Sequence, residues 1–170
     1  MSDSEQADFQ KQVNHSLKYL NEVGFGNIVP AFCVVYGYHE HSLVEHVIHW
    51  AKLKWLKKKL PENLRDKPDE EVAKEFTKIA NVVLSQVLEQ QAPFEKPRLK
   101  SRIREALFPA LKYVSDDIFQ IAKVTTPVLL SLSAAGTLVL PVQPAAYAII
   151  TAVIARTGVS EVCSANSEGR

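Results

Sequence analysis

Apolar residues recur at helical spacing along most of the chain. Phe9, Val13, Leu17 and Leu20 stand four, four and three positions apart, which is one face of a helix running from about Asp3 to Val23. Gly24 and Gly26 end it. A second helix starts near Ser42, a side chain suited to cap Leu43 onward, and Pro61 ends it. Its apolar stripe is read as Val44, Val47, Ile48, Ala51 and Trp55. A third opens at Pro68, and Asp69, Glu70 and Glu71 complement the positive end of its dipole. Val72, Phe76, Ile79, Val83 and Val87 keep one face to about residue 90. After a linker bracketed by Pro93 and Pro97, a fourth helix is predicted from about Arg98 to Lys123. Ile103, Leu107, Leu111, Val114, Ile118 and Ile121 are aligned along it, and Pro109 kinks or restarts it. Residues 28–37 are a short, β-branched apolar run. With no second strand to pair with, they suit a buried turn of helix or an extended packing segment as well as a strand.

Positions 124 to 155, VTTPVLLSLSAAGTLVLPVQPAAYAIITAVIA, carry no charged side chain. Three readings compete. A transmembrane span needs about 20 apolar residues. Pro141 and Pro144 instead divide the run into two pieces of about 20 Å each, at 1.5 Å per residue, against about 30 Å of hydrocarbon. A buried helical hairpin accounts for the Leu-Pro-Val-Gln-Pro break and for small residues such as Ala134, Gly136, Ala145 and Ala148, which permit close helix approach. A helix apolar all round belongs at the centre of a bundle, with amphipathic helices around it. A third reading has the same folded state but releases the hairpin into a membrane or onto a partner. The fold expected is therefore all-α: a single-domain bundle of about five to seven helices over residues 1–163. It contains a central apolar hairpin within 124–157, and a frayed tail covers 164–170.

Composition narrows the function only by exclusion. The chain has 170 residues, 46% hydrophobic and 23% charged, which excludes global disorder and is enough for one buried core. Twenty Lys and Arg against 19 Asp and Glu leave a net charge of +1, so no whole-molecule field points to nucleic acid. Cys33 and Cys163 are too few and too far apart for a disulfide scaffold or a cysteine zinc site. The acidic, polar start Met1-Ser-Asp-Ser-Glu-Gln lacks the basic and apolar regions of a signal peptide. A cytoplasmic location, peripheral to the membrane at most, is expected.

Local charge carries more information. Lys52, Lys54, Lys57, Lys58 and Lys59 are interleaved with Trp50 and Trp55, and no acidic residue lies between Glu45 and Glu62. Such a helix end suits an anionic lipid surface or phosphate backbones, or is a plain solvated face with Trp55 in the core. A second cluster, Lys96, Arg98, Lys100, Arg102 and Arg104, sits at a helix start, where cations are mildly unfavourable. It would pair with the acids of a partner or with Asp69–Glu71. Four of the five histidines fall in 39–49, and His41, Glu45 and His49 could hold zinc or iron, although the spacing matches no established metal motif. The same histidines could act as a pH-responsive cluster. No phosphate-binding Gly-rich loop, nucleophile elbow or Cys-x-x-Cys occurs, and Asp116 and Asp117 or Glu70 and Glu71 do not converge by local geometry.

The function expected is a non-enzymatic helical interaction module. It would bind an acidic or anionic partner through Trp50, Lys52, Lys54, Lys57, Lys58 and Lys59 and through Arg98, Lys100, Arg102 and Arg104. No cofactor is implied. The partner would be a protein or an anionic membrane, with nucleic acid or a second copy of the chain as further options. The alternative is a membrane-active protein that docks through helix 43–60 and inserts 127–155. More distant is a metal-dependent enzyme built on the His39–His49 cluster.

Overall fold

A computed structural model describes residues 2–24, 43–89, 96–115 and 117–164, with the backbone alone for 43–49. Residues 28–37, Cys33, the Ser42 cap, Pro93 and the tail from 165 onward lie outside the described residues. The described residues form eight helices and no strand. Two of the helices are single turns, which takes the number past the five to seven expected.

Helix α1 (Asp3–Val23) buries the four residues its spacing predicts, Phe9, Val13, Leu17 and Leu20. Ser2 and Glu5 close a capping box at its start. Its end is Gly24, whose φ of 94° few other residues adopt. Helix α2 (Leu43–Lys57) packs on α1, and one turn, α3 (Glu62–Arg65), follows Pro61. Helix α4 (Asp69–Val87) buries Val72, Phe76, Ala80, Val83 and Val87, and Phe76 stacks on Tyr19 with ring centroids 5.6 Å apart.

The fourth predicted helix is two. Helix α5 (Ser101–Leu111) stops, the chain turns, and α6 (Ile118–Ala134) restarts. Pro109 is not the break, because it lies inside α5. The restart is set by Asp117, whose carboxylate accepts from the Phe119 and Gln120 amides at 2.9 and 3.0 Å. Replacing Asp117 with Ala should cost about 0.5–2 kcal/mol in denaturant unfolding, and Asp117→Asn should retain most of that stability. Pro127 likewise lies inside α6. Both prolines are exposed, as are Glu105 and Lys123 one turn earlier. The carbonyls that lose their amide partners thus lie on the water-facing side, which limits the usual cost of an internal proline.

Helix α7 (Pro144–Thr157) is buried on nearly all sides, with Ala145 through Ile154 all in the core. It packs on α1, α4 and α6 and on the last turn, α8 (Val159–Val162). Its alanines allow that approach, and Tyr147 meets Phe9 edge-on with centroids 5.1 Å apart. Helix α6 differs from it. Ile121, Ala122, Thr125, Thr126 and Leu129 face inward, while Lys123, Pro127, Ser131 and Ala134 face water. Gly136 (φ 80°) turns the chain after α6. The connection to α7 is held by Gln86 of α4, whose carboxamide donates to the Val139 carbonyl at 2.6 Å and accepts from its amide at 3.1 Å. Among the described residues, no helix is long and apolar enough to cross a membrane.

Candidate functional site

Over residues 50–60 the lysine helix turns a different face to the core from the one its apolar pattern suggests, while the side chains of Val44, Val47 and Ile48 lie outside the described residues. Leu53, Leu56 and Leu60 face the bundle, whereas Ala51 is exposed and Trp50 and Trp55 are 59% and 57% exposed. Assigning Ala51 and Trp55 to the buried stripe is thus corrected. Leu53 and Leu56 on α2, with Leu60 just after it, carry the side chains that pack against the core. Five residues of the water-facing side, Trp50, Lys54, Trp55, Lys58 and Lys59, form a mixed aromatic and cationic surface. The Lys54 ammonium lies 5.2 Å from the Trp50 ring centroid, and that of Lys59 lies 5.6 Å from the Trp55 centroid. These contacts tie each indole to a cation without removing either from water.

Two members of the cluster are spent within the fold. Lys57 pairs with Asp69 at 3.1 Å, so this acid serves the first basic cluster and not the second. Lys52 pairs with Glu22 at 3.1 Å. That bridge, with the approach of His15 to the Lys59 backbone, sets α1 and α2 antiparallel.

Register then extends the basic surface onto α1, a feature the sequence reading did not single out. Lys11, His15 and Lys18 recur at four and three positions, and Lys18 lies over the Phe119 ring at 5.8 Å. Partial burial lowers the His15 pKa most, and the ammonium groups of Lys18, Lys11 and Lys59 lower it further. The folded protein therefore resists protonation of His15 more than the unfolded chain does. Its contribution to stability is fully present above the unfolded histidine value of about 6.5 and is lost as the pH falls through the lower folded value. In urea titrations over this range, His15→Gln should flatten the acid-side loss of stability.

The second cluster is divided among several partners. Lys96 pairs with Glu161 at 2.9 Å. Arg104 approaches Glu89 at 3.8 Å and donates to the Ser164 carbonyl at 3.3 Å. Arg98 is also engaged. Backbone bonds explain the placement. The Glu89 amide donates to the Arg98 carbonyl, the Lys100 amide to the Val87 carbonyl, and the Leu99 amide to the Val162 carbonyl, each at 2.9 Å. Lys100 and Arg102 are exposed and border a surface cavity.

Among the described residues no group of His, Cys, Asp and Glu could hold a metal ion. His39 and His41, and the side chains of Glu45, His46 and His49, lie outside the described residues. The Cys163 thiol is half-buried, and burial raises its pKa while Arg104 opposes the rise, which favours the protonated, unreactive form. Comparison with known proteins finds no matching family model, no matching curated protein and no matching solved structure.

Proposed function

We propose that this all-helical protein is a non-enzymatic interaction module that docks on an anionic lipid surface through the outward face of α2. The observation that carries this reading is the exposure of Trp50 and Trp55 among Lys54, Lys58 and Lys59, with no carboxylate bound to these three ammonium groups among the described residues. Indole rings favour the headgroup boundary, and lysines beside them are drawn to anionic lipid. Lys11 and Lys18 of α1 add to the same charge. In this reading residues 124–157 act as the apolar hairpin of the bundle, and α7 and the inward face of α6 stay packed in the core during docking.

The second reading, insertion of 127–155, is favoured by one observation. Val139 and Val142, in the connection between α6 and α7, are 76% and 65% exposed. Vesicle flotation tests both readings. With phosphatidylserine-containing vesicles at low salt the protein should float, and it should be released by high salt because screening removes the attraction. Neutral phosphatidylcholine vesicles should not carry it. Salt-resistant flotation with dye leakage would replace docking by insertion. No flotation on anionic vesicles at low salt would overturn both and leave an acidic protein as the partner.

A further inference from the structure

The cavity beside Lys100 and Arg102 has a volume of about 370 Å³ and is formed by α4, the start of α5 and the chain after α6. Four of the lining residues supply its available polar chemistry: Lys100, Arg102, Ser101 and Thr137. Among the described residues no carboxylate lines it. Unlike Lys96 and Arg104, the Lys100 and Arg102 side chains make no ion pair or hydrogen bond among the described residues. The Ser101 hydroxyl accepts from Arg104 at 3.3 Å, which leaves its own hydrogen free. One wall is fixed, because Gln86 is held on Val139 through both ends of its carboxamide.

Two unpaired cations in one concavity repel each other, and the first turn of α5 carries no acid to offset them. A dianion seated between them would reverse that balance. A guanidinium and an ammonium that border one cavity can both reach a phosphoryl group seated in it, the former offering two parallel donors and the latter a mobile one. The volume lies in the range of small-molecule sites and leaves room for an organic body beside the phosphoryl group. We propose that this cavity binds a small phosphate monoester, with Lys100 and Arg102 neutralising the phosphoryl group and Ser101 and Thr137 donating hydroxyl hydrogens to its oxygens. This is independent of membrane docking, since none of these residues lies on α1 or α2.

Amide correlation spectra of the full chain test the assignment, with glucose 6-phosphate, glycerol 3-phosphate and adenosine monophosphate as probes. Glucose and inorganic phosphate serve as controls. At least one monoester should shift the amides of residues 100–103 and 137 saturably at millimolar concentration, more tightly than inorganic phosphate, while glucose shifts none. Lys100→Gln and Arg102→Gln should each weaken binding about tenfold. Lys112→Gln, a change at another exposed lysine, should leave it unchanged. Both cavity variants remove exposed, unpaired side chains, so thermal midpoints equal to the parent are expected and confirm that the fold is intact. The proposal is overturned if no monoester gives saturable shifts. Binding no tighter than that of inorganic phosphate would mean an adventitious anion only, and tighter binding of a phosphoserine peptide would reassign the cavity to a protein partner.

Discussion

Replacing Tyr147 with alanine should destabilise the protein by about 3–5 kcal/mol, the range for removing a large aromatic side chain from a packed core. That is a large part of the 5–15 kcal/mol typical of a whole domain. Tyr147 is fully buried on α7 and its ring packs edge-on against Phe9 of α1, so truncation opens a void between the two helices. Tyr147→Phe should behave differently. The buried phenol makes no hydrogen bond of good geometry among the described residues, although the Ser133 hydroxyl is its candidate partner. Burial pushes its pKa up, an effect Ser133 opposes only in part. Removing an unsatisfied buried hydroxyl is neutral or stabilising, whereas removing a bonded one costs about 0.5–1.5 kcal/mol. Urea unfolding of both variants gives the comparison. A Phe variant weaker by about 0.5–1.5 kcal/mol would mean the hydroxyl is bonded after all.

The second large effect concerns binding. Changing Lys54, Lys58 and Lys59 together to glutamine should weaken association with anionic vesicles about a hundredfold, at roughly 1 kcal/mol for each lysine near the surface. None of the three forms a salt bridge among the described residues, so the fold should hold, with an unchanged thermal midpoint and helical circular dichroism. Lys57→Gln should do the reverse: its bridge to Asp69 is lost while vesicle affinity changes little. Equal affinity of the triple variant and the parent at low salt would remove α2 as the docking face.

These expectations rest on residues of unequal legibility. The inward faces of α1 and α4 can be read directly, because Phe9 to Leu20 and Val72 to Val87 repeat at helical spacing with polar residues between them. The break between α5 and α6 cannot be read that way. Leu111, Val114 and Ile118 continue the helical period across it, and the interruption comes from the cap at Asp117, a single side chain outside the apolar pattern. Pro109 misleads in the opposite sense, since a proline on the wet side of a helix need not end it. Trp55 was ambiguous because hydrophobicity alone does not decide between a buried indole and one held at the surface by a lysine. The extension of the basic face onto α1 had a signal in Lys11, His15 and Lys18, but its meaning depends on the packing of α1 against α2. The cavity had half a signal: Lys100 and Arg102 belong to the cationic run at the helix start, but Thr137 joins them through tertiary structure alone.

The most extensive partner of α1 is α7, from the far end of the chain. A ribosome makes the Phe9 face long before the Tyr147 face that covers it. The contact also joins residues of high sequence separation, so closing it carries a loop-entropy cost uncommon in helical bundles. Folding should accordingly be slow for an all-helical domain. During synthesis the apolar stripe of α1 remains only partly covered until residues 144–157 have emerged, and a nascent chain stalled before that point should be the species most prone to aggregate.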